Sequence, residues 1–224
     1  HYAAISSDTG YLEPTKKRTT CLPHCYTIDE VTVFQALDHL RPTATGPDLL
    51  PAWYLKIGAP IFAHPLSILL SESLSSATVP LQWKSSSITP IPKVNSPSSP
   101  SDFRPISITP ILSRVMERII VTRYLYPALQ ACPPHLYLKD QFAFRPYGST
   151  TSAVITLISK VTTMLATNDY VRVIALDFSK AFDTVSHLTL FEKLLSYNLP
   201  DNIYNWLVDF FLHRSHVTRF NNLT

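Results

Sequence analysis

The sequence is poor in the residues that mark several protein classes. Only 4 of its 224 residues are glycine, so turns must depend on its 19 prolines and on serine and asparagine. The three cysteines, Cys21, Cys25 and Cys132, are too few and odd in number for a disulfide framework. They favour a reducing, intracellular compartment, cytoplasm or nucleus. No apolar run has the length of a membrane span and no secretory signal is visible, so we expect no membrane partner.

What the chain does contain is a large apolar fraction with little charge. It is 46% hydrophobic and 16% charged, which indicates a globular protein with a sizeable core rather than a disordered one. The net charge of +3 permits nucleic-acid binding without demanding it. The sequence starts at His1 instead of methionine and reaches Thr224 without an evident structural end, so we expect a piece of a longer polypeptide.

The cysteines also raise the question of a metal site. Cys21, His24 and Cys25 lie close together, and Cys132 and His135 form a second short group, so the two groups could be halves of a zinc site. Structural zinc sites usually have tighter paired spacings than this. Scattered free cysteines are the alternative, and the spacing favours it.

The strongest chemical signal lies in residues 171–187, which read V-R-V-I-A-L-D-F-S-K-A-F-D-T-V-S-H. Residues 171–176 are a short apolar run rich in β-branched side chains, which predicts a strand buried on both faces. Asp177 ends the run and Asp183 follows six residues later. A carboxylate at the end of a buried strand is held rigidly at the edge of a sheet, as a metal ligand must be. A turn or N-cap aspartate is the alternative.

Residues 83–94 and 102–108 predict the two arms of a hairpin, because their prolines suit an edge strand and not a central one. Residues 95–101, N-S-P-S-S-P-S, predict a flexible polar tip. Lys93 and Arg104 lie on opposite arms, and two cations on a hinged hairpin could close over a triphosphate. Two solvated surface cations are the alternative.

Residues 140–151, D-Q-F-A-F-R-P-Y-G-S-T-T, combine two phenylalanines with an arginine. Aromatic and arginine side chains suit base stacking and backbone contact with nucleic acid. A loop with a packed phenylalanine pair and a helix cap is the alternative.

Helical periodicity predicts the structure of much of the remaining chain. We expect helices after the capping-box spacing of Thr27 and Glu30, over residues 60–77, from Thr109, from Ser149 or Thr150, and over residues 188–197 and 203–213. The helix from Thr109 is expected to bury Ile111, Leu112, Val115, Met116, Ile119 and Ile120, and the helix from Ser149 to bury Val154, Leu157, Ile158, Val161 and Leu165. Asp209 is expected to be exposed, and residues 217–220 to begin a strand.

Four segments of the chain, in this order, resemble motifs of the reverse transcriptases of non-LTR (LINE-type) retrotransposons. They are T-G-P-D-L, I-P-K with D-F-R-P-I-S-I, Q-F-A-F-R-P with S-T-T, and L-D-F-S-K-A-F-D-T-V-S-H. The resemblance covers residues from about 45 to 224. Leu49 and Ala143 stand where this family usually has glycine, and Tyr147 with Gly148 stands where glycine and a basic residue are common.

The resemblance implies an α+β fold, with the fingers and part of the palm of a right-hand polymerase. The expected architecture is helix-rich with an incomplete antiparallel palm sheet. Residues 1–44 would be an N-terminal extension with one helix, residues 45–168 a fingers-like region, and residues 169–224 the start of the palm with the first catalytic motif.

The resemblance also implies roles for single residues. Asp177 would bind both of two Mg²⁺ (or Mn²⁺) ions, and the backbone carbonyl of Phe178 would add a ligand. Phe182 would be the gate that rejects a ribose 2′-hydroxyl, the alternative being a core phenylalanine. Lys93 and Arg104 would contact the incoming nucleotide. The template and primer would meet Gln141, Phe144 and Arg145.

The implied partners are an RNA template, a DNA primer and deoxynucleoside triphosphates, with the rest of the palm, the thumb and an upstream endonuclease domain supplied by further polypeptide. The family's second metal motif contains an Asp-Asp pair, and no Asp-Asp pair occurs in the 224 residues. Because one aspartate cannot hold two adjacent metals, we predict that this chain alone does not polymerise nucleotides. The alternative is a degenerate or domesticated remnant that binds RNA or DNA without catalysis.

Overall fold

The computed structural model describes residues 10–18, 26–137, 140–178 and 181–220. In these ranges the helices are α1 (Glu30–Asp38), α2 (Ala52–Ile57), α3 (Ala59–Ser75), α4 (Ile111–Ile120), α5 (Tyr126–Gln130), α6 (Thr150–Leu165), α7 (His187–Leu194) and α8 (Asp201–Phe211). The strands are β1 (Ser85–Pro92), β2 (Phe103–Ile108) and β3 (Ser215–Thr218). A π-helical turn, Val121–Leu125, joins α4 to α5. The helix-rich α+β class is therefore confirmed.

The core forms where α3 packs against α1 and α8. Its fully buried side chains include Val33, Leu37, Leu70, Leu74 and Trp206. The capping box predicted at Thr27 and Glu30 is wrong, because Asp29 is the N-cap of α1 and its carboxylate accepts the Thr32 N–H at 2.8 Å. The predicted apolar stripe of α4 is confirmed: Ile111, Val115, Met116, Ile119 and Ile120 are buried, and Leu112 is half-buried.

Residues 10–18 cross the surface of α8, and Asp209 is the main ionic anchor of this contact. Lys16 and Lys84 each place their ammonium 2.8 Å from the Asp209 carboxylate, and the Val79 N–H donates to it at 2.9 Å. Burial raises the pKa of Asp209, but the hydrogen bonds from Lys16, Lys84 and Val79 outweigh it and lower the pKa to about 2. The expectation that Asp209 is exposed is wrong, since a helix residue that faces two lysines from other segments is covered by them.

Side chains on both sides of Asp209 hold the same segment. The Asn205 side chain accepts the Lys17 N–H at 2.7 Å and donates to the Lys17 carbonyl at 2.9 Å. The Tyr11 hydroxyl lies 3.2 Å from Nδ1 of His187, whose pKa is lowered by burial. The contact between residues 10–18 and the helices α7 and α8 is therefore specific and polar.

The three strands form one sheet in the order β2–β1–β3. β1 and β2 pair antiparallel as the predicted hairpin, with Ile91 opposite Arg104. β3 pairs parallel to β1, with Ser85 opposite Ser215. The prediction of an antiparallel sheet is thus wrong for β3, because a strand that returns after a long helical connection can join in the parallel sense.

Prolines decide how far this sheet extends. The Lys93 N–H donates to the Asp102 carbonyl at 2.7 Å, so these two residues form a hydrogen-bonded pair. Hydrogen-bonded and non-hydrogen-bonded pairs alternate along an antiparallel ladder. The facing residues Pro90 and Pro105 are therefore a pair without hydrogen bonds between them. β3 pairs with β1 only up to Ile88, before the first of these prolines. A proline has no N–H to donate, so Pro90 ends the pairing with β3, and Pro105 removes a donor from the outer edge of β2.

The predicted strand at residues 171–176 is wrong. These residues have no strand pairing, and Ile174 and Leu176 are 74% and 90% exposed. An apolar run rich in β-branched residues describes what a buried strand needs on its faces, but a strand forms only beside a partner. No strand in the described ranges pairs with this run.

The core predicted on α6 is also wrong. The helix forms where it was expected, with the Ser149 hydroxyl accepting the Ser152 N–H as N-cap, but none of its residues is buried. Val154, Leu157, Ile158 and Leu165 are 48% to 59% exposed, and Val161 is half-buried. Periodicity predicts which face of a helix is apolar, not whether another element covers it. In the described ranges, none of the helices is both long and apolar enough to cross a membrane.

The turn before α2 contains a strained residue that allows a direct test. Leu49 has φ 58°, donates its N–H to the Gly46 carbonyl at 3.1 Å and is 69% exposed. A left-handed conformation costs a non-glycine residue about 1–2 kcal/mol. We expect Leu49→Gly to raise the free energy of unfolding by about 0.5–1 kcal/mol, measured by urea denaturation, because the relief of strain exceeds the added unfolded-state entropy.

The neighbouring residue provides the control for this prediction. Leu50 has no positive φ and is half-buried, so Leu50→Gly is expected to destabilise the chain. A loss of stability in Leu49→Gly as large as that in Leu50→Gly contradicts the assignment of strain to Leu49.

Candidate nucleic-acid interface

Asp177 lies in an exposed stretch that has no regular secondary structure. One carboxylate oxygen accepts the N–H of the next residue, Phe178, at 2.9 Å. The prediction that a sheet edge holds this carboxylate rigidly is wrong, because residues 171–176 are not in a sheet. Asp183, to which no metal is assigned, is exposed as well.

The described residues do not fit a two-ion metal site. Among them, no group of three or more His, Cys, Asp or Glu side chains is close enough to hold a metal ion. Asp177 is therefore not part of a larger cluster of metal-ligating side chains within the described residues. Of the residues considered for a zinc site, Cys21, His24 and Cys25 lie outside the described residues, and Cys132 donates its thiol to the Leu129 carbonyl at 3.1 Å.

The hairpin of β1 and β2 carries the two cations predicted to contact the nucleotide, and only one of them is engaged in a hydrogen bond. The Lys93 ammonium donates to the Ser101 carbonyl at 2.9 Å, so it is engaged in holding the tip. The Arg104 side chain is exposed on β2 and has no hydrogen bond or ion pair within the described ranges. Arg104 is therefore the cation of this hairpin that is free to meet a ligand.

The tip of the hairpin is more ordered than the predicted flexible tip. The Asp102 carboxylate accepts the N–H groups of Ser98 and Ser99, each at 2.9 Å. These two hydrogen bonds lower the pKa of Asp102. The short helical turn Pro100–Asp102 then leads directly into β2. The two arms are consequently tied together at their tip.

The three predicted template and primer contacts lie together. Gln141, Phe144 and Arg145 line one small cavity of about 80 Å³, whose other lining residues include Tyr126, Leu129 and Leu136. The Arg145 guanidinium lies 5.0 Å from the centre of the Tyr137 ring, and it donates to the Tyr137 hydroxyl at 3.1 Å and to the Gln141 carbonyl at 3.4 Å. Several hydrogen-bond donors of Arg145 are therefore used within the loop of residues 137–148.

Phe182, the predicted sugar gate, meets Phe144 edge to face, with 6.3 Å between the ring centres. The two side chains are 82% and 78% exposed, so the alternative of a core phenylalanine at position 182 is wrong. This contact joins two segments that the sequence predicted separately. In the described ranges, no hydrogen bond or ion pair joins Asp177 to Lys93 or Arg104.

Sequence reasoning assigned no role to two tyrosines of this loop and did not predict its backbone strain. Tyr137 orients Arg145, and Tyr147 is fully exposed at the tip of the following turn. The positive φ angles belong to Phe144 (57°) and Tyr147 (63°), and not to Ala143. Alanine at position 143 is therefore unstrained. The dipeptide of Pro146 and Tyr147 before a glycine was the signal that could have identified the turn.

Comparisons with known proteins are consistent with these features. A family model described as reverse transcriptase (RNA-dependent DNA polymerase) matches residues 91–223. The chain is 31% identical over 146 residues to the probable RNA-directed DNA polymerase from transposon X-element of Drosophila melanogaster, covering 64% of the chain and 15% of that protein.

Two further relatives match in a similar way. The RNA-directed DNA polymerase from mobile element jockey of Drosophila melanogaster is 29% identical over 153 residues, covering 67% of the chain and 16% of that protein. The retrovirus-related Pol polyprotein from type-1 retrotransposable element R2 of Popillia japonica is 29% identical over 129 residues, 58% of the chain and 17% of that protein. The chain thus spans 15% to 17% of the length of these three curated relatives.

Proposed function

Since the chain belongs to the reverse transcriptase (RNA-dependent DNA polymerase) family, we propose that it forms part of the RNA-directed DNA polymerase domain of a non-LTR retrotransposon. One observation carries the proposal: the family match over residues 91–223 includes every candidate site residue, from Lys93 to Phe182. The proposed partners are an RNA template, a DNA primer and deoxynucleoside triphosphates. In this proposal residues 45–168 act as the fingers and residues 169–224 begin the palm.

The proposed roles follow the exposure and contacts of each side chain. Arg104, exposed on β2, binds the triphosphate of the incoming nucleotide, and Lys93 supports it from the opposite arm. Arginine suits this role because its planar guanidinium can make two hydrogen bonds to one phosphate. Phe182 lies against the sugar and rejects a 2′-hydroxyl by steric contact. Phe144, which touches Phe182, contacts the template beside it.

The metal chemistry is the part of the function that the described residues do not complete. Two Mg²⁺ (or Mn²⁺) ions, when bound, stabilise the entering and leaving oxygens of nucleotidyl transfer. Asp177 and the Phe178 carbonyl are the proposed ligands from this chain, and the remaining ligands come from outside its 224 residues. We therefore propose that the chain alone binds nucleic acid and nucleotide but does not extend a primer. The alternative, a remnant that binds RNA or DNA without catalysis, shares only the binding of nucleic acid.

The test is an assay of primer extension and RNA binding with the 224-residue chain. We expect salt-dependent binding of a single-stranded RNA and no extension of an RNA-templated DNA primer with Mg²⁺. Extension by the wild type that is lost in Asp177→Asn but kept in the matched control Asp183→Asn contradicts the proposed inactivity of the isolated chain. Absence of RNA binding contradicts the proposed function itself.

A further inference from the structure

The side chain of Tyr147 is 102% exposed, more than any other large hydrophobic side chain in the described ranges. In that part of the chain it makes no hydrogen bond and no ring contact. A tyrosine usually buries its ring and keeps only the hydroxyl at the surface. The ring of Tyr147 therefore contributes no packing to the fold.

The backbone that presents this ring is strained. The Gly148 N–H donates to the Arg145 carbonyl at 3.1 Å, which closes a four-residue turn with Pro146 in its second position and Tyr147 in its third. Tyr147 has φ 63°, the left-handed conformation that favours glycine at the third position of a type II turn. Tyrosine there costs about 1 kcal/mol relative to an unstrained residue, and the exposed ring returns no burial for it.

The residue after Tyr147 fixes the turn. A Cβ added to Gly148 would lie 2.0 Å from the Phe142 carbonyl oxygen, a backbone atom, so this position accepts only glycine without rearrangement. The turn is thus closely packed on its inner side, and Tyr147 projects from its outer side. Strain that is retained in the native state without a packing benefit often marks a functional position.

The surroundings indicate what this ring meets. The Arg145 guanidinium is turned toward Tyr137 and Gln141, so it is partly withdrawn from a ligand. The loop instead exposes Phe144, which is 78% exposed and touches Phe182. Exposed aromatic rings without an intervening acidic side chain suit the faces of unpaired bases, because every base has a π face on which a ring can stack.

We propose that Tyr147 stacks on an unpaired base of the RNA template, a role that rests on the proposed function and adds a template-contacting residue to it. Stacking is an apolar contact that neutralises no phosphate. The contribution of Tyr147 to RNA affinity is therefore independent of salt, whereas that of a phosphate-binding arginine falls as salt rises.

Four variants of the 224-residue chain test this role, with a fluorescently labelled single-stranded RNA as the probe. Tyr147→Gly removes the ring and relieves the strain, so we expect RNA affinity to fall about tenfold while thermal stability stays the same or rises. Tyr147→Phe keeps the ring and should bind as the wild type does. Tyr170→Ala removes a tyrosine that is 77% exposed elsewhere and should leave binding unchanged. Arg145→Ala removes a cation assigned to the template and primer and should reduce the salt dependence of binding.

The outcomes separate the two proposals. Stacking is supported if Tyr147→Gly lowers RNA affinity about tenfold at both low and high salt. The same substitution should then have no effect on the affinity for an RNA that carries abasic sites in place of bases. Equal affinity of wild type and Tyr147→Gly refutes stacking and leaves the proposed function intact. If the wild type binds no RNA, the proposed function and the role of Tyr147 both fail.

Discussion

Asp209→Asn is expected to lower the free energy of unfolding by about 3–5 kcal/mol, because it leaves a buried ammonium without its counter-charge. The side chains of Asp209 and Lys84 are only 13% and 8% exposed, and their charged atoms lie 2.8 Å apart. The substitution also weakens the acceptor of the Val79 N–H and the anchor of Lys16. Urea denaturation followed by circular dichroism measures the change.

Two further variants separate the buried pair from ordinary surface charge. Asp201, which lies on the same helix as Asp209, pairs with Lys17, but the Asp201 and Lys17 side chains are 48% and 30% exposed, so Asp201→Asn should cost under about 1 kcal/mol. Replacing Lys84 by methionine in the Asp209→Asn background removes the unpaired charge and should recover most of the loss. An Asp209→Asn chain as stable as Asp201→Asn contradicts the assigned role.

The same carboxylate predicts a pH dependence. The pKa of Asp209 is about 2 in the folded chain, below the value of about 3.9 in an unfolded chain. A group whose pKa is lowered by folding stabilises the protein above its unfolded pKa, and this stabilisation is lost as the pH falls through the folded value. The stability difference between wild type and Asp209→Asn should therefore be constant above about pH 5 and shrink toward pH 2.

Trp206→Ala is expected to lower the free energy of unfolding by about 3–5 kcal/mol. Trp206 is 1% exposed, stacks on Phe210 with 5.3 Å between ring centres, and donates its indole N–H to the Ser73 hydroxyl at 3.0 Å. The truncation leaves a cavity between α3 and α8 and removes this hydrogen bond. Thermal or urea unfolding measures the loss.

Trp53→Ala is the matched control, because Trp53 is 63% exposed on α2. It should change stability by less than about 1 kcal/mol, as surface substitutions usually do. Trp206→Phe keeps most of the apolar volume and isolates the hydrogen bond to Ser73, so its cost should lie between those of the other two variants. Similar losses in Trp53→Ala and Trp206→Ala contradict the assignment of the core to α3 and α8.

The features that the sequence predicted correctly are those set by local patterns. The hairpin of β1 and β2 was predicted from its prolines and polar tip, and the buried stripe of α4 from helical spacing. In both cases the residues that determine the element also lie within it. The contacts between distant segments, such as Asp209 with Lys16 and Lys84, leave no periodic signal in a single sequence.

The wrong predictions for residues 171–176 and for α6 share one physical cause: an apolar pattern describes a surface that needs a partner. Residues 171–176 and helix α6 both present apolar side chains that the described residues leave exposed. The predicted rigid position of Asp177 failed for the same reason, because it was inferred from the strand predicted just before it. The meeting of Phe144 with Phe182 depends on how two loops approach, and the exposure of Tyr147 depends on a turn whose third residue is usually glycine.

The ionic contact between residues 10–18 and α8 has a consequence for the order in which the chain folds. Lys16 and Asp209 are 193 positions apart, and β3 follows α8. A ribosome that adds roughly 5–20 residues per second takes roughly 10–40 s to make the chain between them. Before α8 is made, Lys16, Lys84 and the Val79 N–H lack the Asp209 carboxylate, whereas the hairpin of β1 and β2 can already close. The ionic contact can therefore form only once α8 has been made, whereas α1 can pack on α3 and the hairpin of β1 and β2 can close before then, so residues 10–18 wait for their partner longer than either.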